Sequence, residues 1–243
     1  MAEKSWLRRR MERALTKALW QAYKTVRVDP DRFLMEIRAG YGLPVTSFRG
    51  LYSVEPPVLD TVAEKIINGG MKIAAAEGAG LGIGGLLTVV PDFSILAGIT
   101  LRTIQKLSLL YGFEYNTDDE MAELWMAAAS AAGVDLGRDF LEKTVVNRLV
   151  LRIIRRIAAK ASAEFVEKWA GRLIPVVSSI IGGTLNYYFV RGWGERAHTH
   201  FRRKHLAMRQ KIQAPAPHPQ DLRSLSPVTV TGSSEPLERK FSS

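Results

Sequence analysis

Glu77, Asp92 and Arg102 are the charged residues best placed for chemistry, because they bracket and follow a glycine-rich apolar run from Gly78 to Leu101. If the chain turns back between the two carboxylates, they approach each other. A shared proton or a bound metal then becomes chemically reasonable. Arg102 lies about 15 Å from Asp92 along a continuous helix, so those two meet only through another element. The three residues are the catalytic candidates; helix capping and ion pairing are the simpler roles for the same groups.

His198-x-His200 with His205 offers metal-ligand atoms, but residues two apart point to different sides of a helix. Arg202, Arg203 and Lys204 also repel a cation, so no metal site is expected. Gly80-x-Gly82-x-x-Gly85 has the form of a dinucleotide fingerprint. That chemistry needs a strand before it and an acidic ribose ligand about 20 residues later. The residues before it are alanine-rich and helical, and no small-molecule cofactor is expected. The absence of cysteine excludes disulfides, thiolate zinc sites and cysteine nucleophiles, and fits a reducing compartment.

The remaining glycines suggest packing. Gly78/Gly82 and Gly80/Gly84 are GxxxG pairs, and Gly182-Gly183 sits in a second small-residue segment. On helices such residues let another backbone approach closely. Neither segment reads cleanly as a membrane span: Pro91-Asp92 interrupts the first, while Pro175, Ser178, Ser179 and Asn186 weaken the second.

These residues need helices to position them. Residues 5–26 carry Leu7, Met11, Leu15, Ala18, Leu19 and Ala22 on one face, with Arg9, Arg10, Arg13 and Lys17 opposite. Trp6 and Trp20 project with the basic residues. They either cover neighbours or sit at headgroup depth in an interfacial helix. Asp29-Pro30 opens a short helix to about Ala39, and residues 57–77 form another, which Gly69-Gly70 can kink. Pro91-Asp92 starts a helix that Gly112 stops, and Asp118-Asp119-Glu120 opens the next. Residues 138–170 form one or two helices. Within them Val150, Ile153, Ile154, Ile157 and Ala158 oppose Arg148, Arg152, Arg155, Arg156 and Lys160. An apolar helix over 173–190 precedes a basic helix to about Gln213. The Pro- and Ser-rich remainder reads as disordered.

Charge is distributed unevenly. Residues 1–27 carry +6, 28–147 carry −7, 148–190 carry +5 and 191–211 carry +6, within a net +10 over 243 residues. Basic segments flanking an acidic middle favour an anionic partner, either lipid headgroups or nucleic acid bound nonspecifically. No sequence-reading DNA or RNA module is recognisable. Lys17 and Gln21 interrupt any apolar signal-peptide core, so no leader is expected.

Taken in order, Tyr41-Gly-Leu-Pro44, Glu77-Gly78, Leu87 to Pro91-Asp92, Arg102-Thr-Ile-Gln-Lys106, Tyr111-Gly-Phe113, and Leu173-Ile-Pro175 through Gly182-Gly183 to Asn186 resemble the EcsC family. The resemblance covers roughly residues 30–205 and leaves the basic N-terminal helix and the tail outside it. The family takes its name from a protein encoded beside the components of an ABC transporter. The resemblance therefore implies membrane-linked work in a bacterial-type cytoplasm. It carries no catalytic residues with it.

The expected fold is all-α: a basic amphipathic helix over 1–27, a multi-helix domain with close-packed glycines over 28–211, and a disordered tail over 212–243. The expected function is that of a non-catalytic accessory protein, cytoplasmic and peripherally bound to an anionic membrane surface. Trp6, Trp20, the basic residues of 9–17 and those of 148–160 would bind lipid or a partner. The alternatives are an enzyme acting on an amphiphilic substrate through Glu77, Asp92 and Arg102, and an adaptor for a membrane transporter.

Overall fold

Every regular element in the computed structural model is helical among the residues it describes, which are 2–81, 89–135, 146–169 and 178–213. In chain order these are α1 (Ala2–Thr25), α2 (Pro30–Tyr41), a 3-10 helix (Phe48–Ser53), α3 (Pro56–Leu81), α4 (Val89–Leu110), α5 (Asp118–Ala131), α6 (Val146–Trp169) and α7 (Ser178–Gln213). Local chemistry sets several ends. The Asp29 carboxylate accepts from the backbone N–H groups of Asp31 and Arg32, with Pro30 in the first turn of α2. Gly42 closes α2 at φ +70, and Gly112 follows α4 at φ +83, a backbone region that favours glycine. At α5, Thr117 and Glu120 form a reciprocal capping box.

Helices α3 and α7 pack along each other, and α4 packs against both. Helix α5 lies on α6 and α7, and α1 lies on α4 and α6. The expected stripes are buried: Met11, Leu15, Ala18, Leu19 and Ala22 on α1, and Val150, Ile153, Ile154, Ile157 and Ala158 on α6. The α1 stripe is thus part of the core and faces the domain.

Two helices run further than the sequence indicates. Residues 178–213 form one helix, where an apolar and a basic helix were expected. No proline or capping residue separates the two parts. Gly194 is tolerated mid-helix because α3 presses on it: a Cβ there would meet Ile67 at 3.0 Å. Likewise α3 continues through Gly69-Gly70 into the glycine run, so Gly78 and Gly80 belong to helical backbone. A Cβ at Gly70 would meet Thr103 Oγ1 at 2.6 Å and Val190 at 3.3 Å, so this glycine admits α4 and α7 together. Gly82 and Gly84, the surroundings of Gly182 and Gly183, and the tail from 214 lie outside the described residues.

Phe93–Leu110 has the length and apolarity of a membrane-crossing segment, with mean hydropathy 1.2, and 67% of it is buried inside the protein. Leu101, Ile104, Leu107 and Leu110 supply much of that burial. The helix is apolar because it occupies the centre of the fold.

Candidate functional site

Of the three catalytic candidates, Arg102 lines a cleft of about 500 Å³ between the end of α1, α2, α3 and α4. Glu77 is exposed on α3 and does not line that cleft. The Asp92 side chain lies outside the described residues. Helices α3 and α4 run antiparallel, since Asp60 meets Tyr111 and Gly70 meets Thr103. The cleft takes in the outward sides of both helices near their middles. Among the described residues, Arg27, Lys65, Arg102 and Lys106 bring four cations to it, against the single carboxylate of Glu36. Lys106 is already committed, donating to Glu36 at 2.8 Å beneath the cation-facing ring of Phe33. Lys65 and Arg102 have no ion pair among the described residues.

The basic faces are where helical spacing puts them. Arg9, Arg13 and Lys17 are exposed on α1, and Arg148, Arg152, Arg155 and Arg156 on α6. Helices α1 and α6 are neighbours, and Tyr23 donates to Asn147 Oδ1 at 2.8 Å between them. Lys160 donates to the carbonyl of Gly133 and lies 3.9 Å from Glu164, so it ties α6 to the end of α5. Trp6 is 50% exposed, with Arg10 over its ring. Trp20 is partly buried against Tyr23 under Lys24. Of the two indoles, only Trp6 offers substantial surface.

A second cluster escaped the sequence reading. Asp60 on α3 accepts from the Tyr111 hydroxyl at 2.9 Å and from Arg202 Nε at 2.9 Å, with His198 Nε2 at 3.2 Å. Burial pushes this carboxyl up, but the hydrogen bonds from Arg202, His198 and Tyr111 outweigh it and hold the group below its usual range. Burial, then the Asp60 carboxylate, drive the Tyr111 phenol far up. Behind them His205, fully buried, approaches the Tyr111 carbonyl at 3.0 Å. A carbonyl only accepts, so Nδ1 carries the proton. Tyr52 stacks on the imidazole at 4.8 Å, and its Nε2 is buried without a partner among the described residues. Held by Tyr111, His198 and Arg202, Asp60 joins α3 to α7 and to the residue that follows α4.

The only local sign of this cluster was spacing, as His198, Arg202 and His205 share one face of α7 at i, i+4 and i+7. Asp60 is 142 residues from Arg202 and gives no local signal. Among the described residues, no three His, Cys, Asp or Glu side chains are grouped to hold a metal ion.

The model of the EcsC protein family matches residues 9–206. The chain belongs to the EcsC family. Protein EcsC of Bacillus subtilis strain 168 is 30% identical over 139 residues, 56% of this chain and 59% of that protein. An uncharacterized protein of the same organism, YdbA, is 31% identical over 75 residues, 30% of this chain and 28% of its own length. The matches thus span less than two thirds of either relative. No solved structure matches. The EcsC region begins inside α1, well before residue 30 where the sequence resemblance starts, and includes the whole core stripe from Met11 to Ala22. It contains the cleft and the Asp60 cluster entire.

Proposed function

We propose that this EcsC-family protein associates peripherally with an anionic membrane surface, held by charge more than by insertion. The carrying observation is the disposition of α1 and α6. Both helices commit their apolar faces to the core and leave Arg9, Arg13, Lys17, Arg148 and Arg155 exposed. An interfacial helix needs its apolar face for the acyl chains. Here that face is occupied, so attraction rests on the cations, each worth about 1 kcal/mol near an anionic surface. Trp6 can add a headgroup contact at the start of α1.

Co-sedimentation with phosphatidylglycerol-containing vesicles tests this reading. Retention is expected at low salt and loss at high salt, because the Debye length falls to about 3 Å at 1 M. Arg9→Glu with Arg13→Glu should weaken retention by roughly tenfold or more. Equal retention on phosphatidylcholine vesicles, or retention indifferent to salt, would overturn the proposal.

A further inference from the structure

The cleft between α3 and α4 has a polarity along its length. Lys65 on α3 and Arg102 on α4 line it with Arg27, which follows α1. Along α3, Ile73 lies two turns beyond Lys65, and along α4, Ile95 lies two turns before Arg102, about 10–12 Å in each helix. These isoleucines are 56% and 40% exposed, among the large apolar side chains the fold leaves uncovered. Gly69 and Gly98 form part of the floor. A Cβ at Gly69 would meet nothing within 4 Å, so its missing side chain is open space within the cleft.

Like charges held together without a counterion repel, and an anion between them relieves that repulsion. Lys106 has Glu36. Arg27 has local contacts, donating to the Tyr23 carbonyl at 3.3 Å and lying over the Tyr23 ring. No carboxylate pairs with Arg27, Lys65 or Arg102 among the described residues. An inorganic anion would satisfy the cations and leave the isoleucines wet. A purely apolar ligand would do the reverse. We propose that this cleft binds a single phosphate-headed amphiphile, with its headgroup among Arg27, Lys65 and Arg102 and its chain along Ile73 and Ile95. The volume suits one small headgroup with the first part of a chain. This site stands apart from the surface association proposed above: its ligand is one molecule, and monomeric probes read it without a bilayer.

The test is titration calorimetry on the full chain with dihexanoyl phosphatidate kept monomeric, dihexanoyl phosphatidylcholine, and inorganic phosphate. The phosphatidate should bind at one site, with phosphatidylcholine and phosphate each at least ~10-fold weaker, since each satisfies only one end of the cleft. Gly69→Leu fills the floor and should abolish binding, while its circular dichroism melt confirms that it folds. Arg102→Gln changes an exposed side chain and should weaken binding by roughly 5- to 10-fold. Arg155→Glu, on α6, should leave it unaltered. Phosphate binding as tightly as the phosphatidate would remove the chain site. Undiminished binding by both Gly69→Leu and Arg102→Gln, or no binding by the unaltered protein, would overturn the assignment.

Discussion

One buried and one half-buried histidine, His205 and His200, should make this protein sensitive to mild acid. Burial, partly opposed by the bond to the Tyr111 carbonyl, holds His205 below its ordinary value of 6.5. Burial and the neighbouring Lys204 and Arg203 do the same to His200. Below about pH 6.5 the unfolded chain therefore binds protons that the folded chain refuses, and stability falls as pH falls through that window. The urea midpoint should drop between pH 7 and pH 5. His205→Asn keeps a donor for the Tyr111 carbonyl, so it should fold, lose about 1–2 kcal/mol at pH 7, and show a flatter pH dependence. An unchanged slope would remove His205 as its source. Asp60 acts in a separate, lower window: its depressed carboxyl loses its contribution only as pH falls below about 3.8. None of this was legible in the sequence. The histidines were read there for their ligand atoms, whereas their behaviour comes from partners such as Tyr111, 94 residues away.

At the scale of elements, helical stripes were legible because one face of each helix must be apolar whatever lies opposite it. The burial of Met11 to Ala22 and of Val150 to Ala158 follows the spacing directly. The lengths of α3 and α7 were harder to read, because a glycine has two opposite meanings. It breaks a helix on its own, or lets two helices meet when a neighbour fills its space. The difference predicts opposite signs. Gly69→Ala should stabilise by about 0.5–1 kcal/mol through helix propensity, since its Cβ meets nothing. Gly70→Ala should cost about 1–3 kcal/mol by overpacking, because Thr103 Oγ1 is held there by its bond to the Ile99 carbonyl. Gly194→Ala should cost a similar amount, about 1–3 kcal/mol, against Ile67. Urea denaturation of the three variants checks the signs; Gly69 and Gly70 shifting the same way would refute the distinction.

For the whole molecule, the sequence separated the N-terminal helix by its charge, while the fold uses it by its other face. Met11, Leu15 and Leu19 each bury a side chain worth about 2 kcal/mol against α4 and α6. Their sum, about 6 kcal/mol, already lies within the roughly 5–15 kcal/mol that stabilises a typical domain. Deleting residues 1–24 should therefore abolish cooperative unfolding, read by loss of a sigmoidal melt. A truncated chain that melted as sharply as the full one would show α1 to be an appendage. Charge could be counted from the sequence, but its placement required the fold. That placement has a mechanical consequence. Basic α1 and α6 stand side by side, while residues 28–147 carry a surplus of seven negative charges. The cations of α1 and α6 add on one flank, and an anionic plane would exert a torque on that flank as well as a pull. On the surface association proposed above, the flank of α1 and α6 would lead, turned toward the plane before the first side chain touches it.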